Sequence, residues 1–411
     1  MSQEFLQLIP VDEVLRLFHR FRPIERIETL PLLEAVGRVT ADAVVAGESL
    51  PAFPRALMDG FAVRAADVAS ARETSPVFLR VAGEVAMGQV TQASLQPGEC
   101  IAVATGAMVP PGADAVAMVE HTRPGPDGTV EFTRAAAAHD HLLLPGEDVA
   151  QGTQVFAAGR RVCPLDVGAL SALGISRLRV RARPVVAIVS TGDELVEPSA
   201  RPAPGQVRDT NGGTLHAQVQ ACGGIPLLLG RVPDTLDALR AAVAAARGKV
   251  DLLLLSGGSS MGTRDHTAQV LSEQAGNALL VHGIAIAPGK PTLLADLGGV
   301  PAFGLPGHPV SSFVVFHVVV SALLRRLAGE LRPPLPKLRR TRLRANVVAA
   351  VGRETYVPVR LEEDGRSLRA VPTLGNSAVH SSLLQCDGLV RIPLHQEGWA
   401  QGDEVDVEVL R

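Results

Sequence analysis

The sequence predicts a multidomain α/β protein: a parallel-sheet α/β unit, an interrupted N-terminal domain, a small β domain inserted into it, and a C-terminal β-barrel-like domain. Three observations carry this. Residues 183–330 alternate short apolar runs with helix-period segments, the pattern of a parallel sheet with right-handed helical crossovers. Residues 77–134 break into short β-rich pieces separated by the turn clusters VPPGAD and RPGPDG. The Pro-rich stretch LRPPLPKLRR, 331–340, reads as a stiff linker, and strand patterns follow it. The expected divisions are 1–50 with 146–182, 51–145, 183–330 and 337–411.

A chain of 411 residues is too long for one compact core. With 46% hydrophobic and 20% charged residues it is globular. The 39 basic and 42 acidic side chains leave a net charge of −3, and aromatics are 3%. Neither an electrostatic footprint for a polyanion nor stacking platforms for bases are present, so nucleic acid is set aside as a partner. Cys100, Cys163, Cys222 and Cys386 form no CxxC pair and read as buried thiols of a reducing compartment. The N-terminus carries acids where a signal peptide would carry bases, and the most apolar stretch, 310–324, falls short of the ~20 residues a membrane span needs. A soluble, cytoplasmic protein is expected, with no membrane partner.

Along the chain, residues 11–21 carry Val14, Leu15, Leu17 and Phe18 at helical spacing, with Asp12 and Glu13 in the first turn where the helix dipole favours acids. With the helix expected at 165–173 and the strand at 175–180, this segment would complete the interrupted domain. Two prolines and Gly60 place Met58 and Asp59 on a loop before a strand at 61–63. Most acids in such loops close turns, and Asp59 is a candidate beyond that. Thr105 falls at a strand end, where a hydroxyl caps or binds, and Glu147 and Asp148 are neighbours in a turn.

In the α/β unit, strands are expected at 184–189, 225–229, 250–255, 278–284, 292–294 and 301–305. Helices are expected at 209–221, with Asn211 near its start, from Asp234 as N-cap to 247, and from 265 to 273. Ligands of such sheets bind beyond the carboxyl ends of the strands. The turns STGDEL (190–195), SGGSSMG (256–262), PGKP (288–291) and GLPGHP (304–309) all follow strands, so they converge on one rim. Gly257, Gly258 and Gly262 let the backbone turn sharply, and Ser256, Ser259 and Ser260 add hydroxyls beside backbone N–H groups: an anion cradle, most naturally for phosphate. Asp265 beside such a loop points to a divalent cation, the alternative being a helix cap. Lys290, between Gly289 and Pro291, meets an anion as a point charge, the alternative being a solvated surface lysine. In the C-terminal region strands are expected at 341–348, 354–361, 367–371, 388–393 and 404–410, and His380 in the loop before 388 defines no Ser/His/Asp order.

With these residues in view, the chain resembles the MoeA family of molybdopterin molybdenumtransferases, relatives of the gephyrin E domain. The likeness covers nearly the whole length and rests on MDGFAVRAAD (58–67), TGAMVPPGADAVAMVE (105–120), GED (146–148), STGDEL, RDTN (208–211), SGGSSMGTRD (256–265), PGKP and GLPGHPVS (304–311) in that order. The resemblance implies insertion of molybdate into adenylylated molybdopterin with loss of AMP and a need for Mg²⁺. It also implies a homodimer whose subunits share a cleft, and contact with molybdopterin adenylyltransferase and molybdoenzyme acceptors. Carried over by position, Asp59, Glu194, Asp265 and Lys290 would be catalytic. Thr105, Asp148, Ser256, Gly257, Gly258, Ser259, Ser260, Pro306, Gly307, Ser377 and Arg360 would bind substrate, and Asp234 and Asp265 the metal. This chain departs from the family pattern at Ala287, where KPGKP has its first Lys, at Pro358 and Leu143, where Arg is usual, and at His308, where Asn is usual. Arg360 or His308 would then supply the missing positive charge. Tungstate in place of molybdate, a non-catalytic cofactor carrier, and a nucleotidyl-transfer enzyme acting on molybdopterin are the alternatives.

Overall fold

The computed structural model describes residues 8–257, 266–276, 279–365, 367–373 and 377–411. At its centre is a six-stranded sheet in the spatial order Ile225–Val232, Val185–Thr191, Leu252–Ser256, Pro301–Leu305, Leu293–Asp296, Leu279–His282. The central strand is buried along its length because each of its faces meets a helical layer. On one side, helix Asn211–Ala221 and the apolar helix Pro309–Leu327 cover Val186, Ile188, Leu252 and Leu254. On the other, Leu236–Ala246 and His266–Gln274 cover Val189, Leu253 and Leu255. Pro309–Leu327 is long and apolar enough to cross a membrane, and 67% of its most apolar window is buried inside the protein.

The first four strands pair in parallel, and Leu293–Asp296 runs antiparallel to both of its neighbours, so the expected parallel sheet carries one reversed strand near its edge. Connection length is the reason. The Leu297 N–H donates to the Val300 carbonyl at 2.9 Å in a tight turn, which can only reverse the chain, whereas parallel neighbours need a crossover of about a dozen residues.

The interrupted domain is visible in its pairings. Ile27–Pro31 lies antiparallel to Arg177–Arg181, and Val44–Val45 to Gln154–Phe156, joining segments on either side of the insertion. The N-terminal helix Val11–Leu17 goes elsewhere: Val11 and Val14 enter the core of the α/β unit, followed by Phe18, whose ring meets Phe303 edge-on at 6.4 Å. The inserted domain is a six-stranded sheet in the order Ala115–Met118, Gly60–Val63, Glu99–Val103, Val77–Val85, Thr129–Phe132, Thr122–Pro124.

The C-terminal region closes into a barrel, as expected. Glu354–Asp364 pairs with Ser367–Pro372, which pairs with Leu338–Leu343, then Glu404–Val409, then Gly388–Ile392, which returns to Glu354–Asp364. Closure leaves no free edges within the ring. Ile286–Ala287, from the α/β unit, adds itself in parallel to the start of Glu354–Asp364, which seats the barrel beside the sheet's carboxyl rim.

Candidate functional site

A cavity of about 870 Å³ opens at that rim. It is lined by Thr191 and Glu194, Arg208 and Asn211, Asp234, Ser256 and Gly257, Lys290, Pro306 to His308 and, from the barrel side, Arg353, Ser377 and His380. The strand-following turns therefore meet as the parallel core of the sheet dictates. Of the residues expected in the site, Glu194, Asp234, Ser256, Gly257, Lys290, Pro306, Gly307 and Ser377 are brought together here. Gly258, Ser259, Ser260 and Asp265 lie outside the described residues.

Close backbone approach builds the floor. Gly257 has φ +104°, and a Cβ there would stand 2.2 Å from the Thr191 carbonyl oxygen. Only glycine lets the two strand ends touch in this way. Its N–H donates to the Leu305 carbonyl at 3.2 Å. Asn211, 8% exposed, donates from Nδ2 to Ser256 Oγ and to the Gly307 carbonyl, each at 2.9 Å. One buried amide thus locks the serine at the strand end to the GLPGHP loop, as a buried polar group must be satisfied. Sequence reading saw Asn211 only near the start of its helix. The signal was there: an amide in an otherwise apolar helix face has to find partners.

Asp234 was expected to cap the helix that follows it. The cap is instead Thr235, whose hydroxyl accepts from the Ala238 N–H at 3.4 Å. Relieved of that role, Asp234 turns toward the cavity: its Oδ1 accepts from Thr191 Oγ1 at 3.5 Å, and its N–H donates to Asp193 Oδ1 at 3.1 Å. His266 Nδ1 is 2.8 Å from the Asp234 carbonyl oxygen, an acceptor, so that nitrogen carries a proton. The Lys290 turn is pinned from below by Thr292, fully buried, which donates to the Gly289 carbonyl at 2.7 Å. His308 precedes helix Pro309–Val315, and its Nδ1 lies 2.8 Å from Ser377 Oγ.

The carboxylates of Glu194 and Asp234 are oxygen donors of the kind that suits Mg²⁺ when phosphate oxygens complete its shell. Among the described residues no group of three His, Cys, Asp or Glu side chains is gathered to hold a metal alone. The donor set fits an ion shared with a phosphorylated substrate.

Asp59, Thr105 and Asp148 are not part of this cavity. Asp59 and Thr105 belong to the inserted domain, where the Asp59 Oδ1 accepts from the Thr105 N–H at 2.6 Å and from its Oγ1 at 2.9 Å. These bonds hold the Asp59 carboxyl below the ordinary carboxylate range. The neighbouring Gly60 is forced, since a Cβ there would fall 2.0 Å from the Ala117 carbonyl oxygen. The Asp148 N–H donates to the Leu50 carbonyl at 3.2 Å. Arg360, expected to face the side of Pro358, lines a separate cavity of about 180 Å³ with Thr373, Ser381, Ser382 and Gln385. It also forms an ion pair with Glu362, two residues on and so on the same strand face. Arg353 was not singled out by sequence reading at all, because an arginine at a Gly-Arg-Glu turn resembles any solvated surface residue.

Comparison with known proteins agrees with this architecture. Residues 9–174 match the model of the MoeA N-terminal region (domains I and II), 187–326 that described as "Probable molybdopterin binding domain", and 340–410 that of the MoeA C-terminal region (domain IV). The chain is 30% identical to a molybdopterin molybdenumtransferase of Bacillus subtilis, covering 98% of this chain and 94% of the relative. It is 34% identical to molybdopterin molybdenumtransferase 2 of Mycobacterium tuberculosis, covering 94% and 95%. A crystal structure of the molybdopterin biosynthesis MoeA protein from Pyrococcus horikoshii OT3 superimposes with a TM-score of 0.85 at 32% identity, over 98% of this chain and all of that one. The chain belongs to the MoeA family.

Proposed function

We propose that the protein is a molybdopterin molybdenumtransferase, which inserts molybdate into adenylylated molybdopterin and releases AMP. The observation that carries this reading is the convergence of Glu194, Asp234 and Lys290 with the Ser256 and Gly257 turn in one cavity at the carboxyl rim of the sheet. The Ser256 hydroxyl, which accepts from Asn211 and keeps its own proton to donate, suits a phosphate oxygen, and Lys290 suits the negative charge that builds as the pyrophosphate linkage is cleaved. Mg²⁺ held by Glu194 and Asp234, with Asp265 as a further donor, would offset the same charge.

Asp59, Thr105 and Asp148 have no place in the cavity of their own chain, and this supports a homodimer in which the inserted domain of a second copy covers the cavity. The acceptors are cofactor-free molybdoenzymes, the supplier is a molybdopterin adenylyltransferase, and the compartment is the cytoplasm, in keeping with four unpaired cysteines.

The test is reconstitution. The chain, given adenylylated molybdopterin, Mg²⁺ and molybdate, should activate a cofactor-free molybdoenzyme. Tight binding of the pterin without activation would make the protein a carrier, and activation with tungstate alone would name tungstate as its metal substrate.

A further inference from the structure

Two strands from distant parts of the chain run side by side at the wall of the cavity. Ile286–Ala287 leads into the Lys290 turn, and Glu354–Asp364 opens the barrel. They pair in parallel, Ile286 with Glu354 and Ala287 with Thr355, and the Glu354 N–H donates to the Ala285 carbonyl at 2.9 Å. Residues in register project to the same face, and faces alternate along each strand. Ile286 and Glu354, fully buried and 5% exposed, share the inner face. There Glu354 receives two hydrogen bonds of 2.9 Å from Arg391 and one of 2.9 Å from the Tyr356 hydroxyl.

The other face belongs to Ala287 and Thr355, and Arg353 stands in the bend immediately before Glu354. Ala287 and Arg353 both line the cavity that contains Lys290. Ala287 offers that face only a methyl group. Arg353 is half-buried, and among the described residues no hydrogen bond or ion pair occupies its guanidinium. Arg391, Arg161 and Arg26, by contrast, each grip a carboxylate with two hydrogen bonds. A guanidinium held at a cavity wall without a counter-ion is poised for an anionic ligand.

Molybdate is a dianion, and Lys290 supplies one positive charge. Resting on the transferase reading, we propose that Arg353 is the second oxyanion-binding cation, delivered to the cavity from the bend just before the barrel strand, with Lys290 supplied by the turn that follows Ile286–Ala287. The guanidinium fork meets two oxygens of a tetrahedral oxyanion at once, which a lysine at 287 would meet as a point charge. The oxyanion site is thus shared by the α/β unit and the barrel.

The experiment compares wild type, Arg353→Gln, Arg353→Lys and the double variant Ala287→Lys with Arg353→Gln. AMP release is measured against molybdate concentration at saturating adenylylated molybdopterin, and binding of tungstate to the protein is titrated by calorimetry. Arg353→Gln should raise the molybdate concentration for half-maximal release about tenfold or more, with KM for adenylylated molybdopterin changed less than about twofold. Arg353→Lys should fall between, and Ala287→Lys should restore much of the loss by returning a charge to the same cavity. An unchanged molybdate dependence would overturn the assignment. So would an equal rise in KM for the pterin substrate, which would place Arg353 on a substrate phosphate. If wild type shows no oxyanion-dependent release, the transferase reading fails, and the calorimetric arm still decides Arg353. Weaker tungstate binding in Arg353→Gln than in wild type supports the site, and equal or absent binding in both removes it.

Discussion

His308 Nδ1 lies 2.8 Å from Ser377 Oγ, and the Val310 N–H donates to the Ser377 carbonyl at 3.1 Å. The GLPGHP loop at the end of a central strand is thereby fastened to the barrel across the cavity, so the site is a joint between two units of the chain. The side-chain bond is exposed and its contribution modest. A double-mutant cycle of His308→Ala and Ser377→Ala should give a coupling of about 0.5 kcal/mol in unfolding followed at Trp399, the only tryptophan, which lies in the barrel region. Strict additivity of the two substitutions would deny the bond.

Glu194 and Lys290 stand at the open cavity, and neither side chain is packed into the core. Glu194→Ala and Lys290→Ala should each reduce AMP release about a hundredfold or more while shifting stability by only about 0.5 kcal/mol. Turnover near the wild-type rate in either variant would show that the chemistry is placed elsewhere.

The separation of Asp59 from the cavity sets up a complementation test. In the proposed homodimer, Asp59→Ala and Lys290→Ala should each be inactive on their own. Mixed and refolded in equal amounts, half of the dimers carry one wholly intact site, and activity should recover to about a quarter of wild type. No recovery, with heterodimers shown to form, would mean that Asp59 does not serve the neighbouring subunit's cavity.

Glu408 on the barrel accepts from His317 Nε2 at 2.9 Å, which holds its carboxyl below the ordinary carboxylate range against the opposing effect of burial. A depressed carboxyl pKa stabilises the fold above the ordinary value, and that contribution is lost as pH falls through the lowered native value. Acidification below about pH 4.5 should therefore loosen the barrel from helix Pro309–Leu327, seen as a change in Trp399 emission. Glu408→Gln should flatten that part of the profile, and an unchanged acid profile would show that the pair contributes nothing.

Much of this organisation was legible in the sequence because it rests on periodicity and punctuation. The leucine run at 252–255 reads as a strand buried on both faces, and the turns after the strands name the rim. Strand direction is not written in periodicity, so the reversed strand near the sheet's edge emerged only with the short turn at 297–300. Asp234 and Thr235 are adjacent N-cap residue types, and local chemistry could not say which one caps. Arg353 and Arg360 look equivalent in one dimension. The bend where the barrel strand meets Ile286–Ala287 brings the first to the cavity, and the second lies further along the strand in a separate cavity, paired with Glu362. Asp59 and Thr105 read as one constellation through their motifs, but their distance from Lys290 is a property of the folded chain.

The most direct test of the central claim is release of AMP from adenylylated molybdopterin by the purified chain with Mg²⁺, in the presence and absence of molybdate. Release that requires both Mg²⁺ and the oxyanion, and that falls in Lys290→Ala, is the predicted result. Release at the same rate without any oxyanion, or none under any condition despite bound substrate, would contradict it.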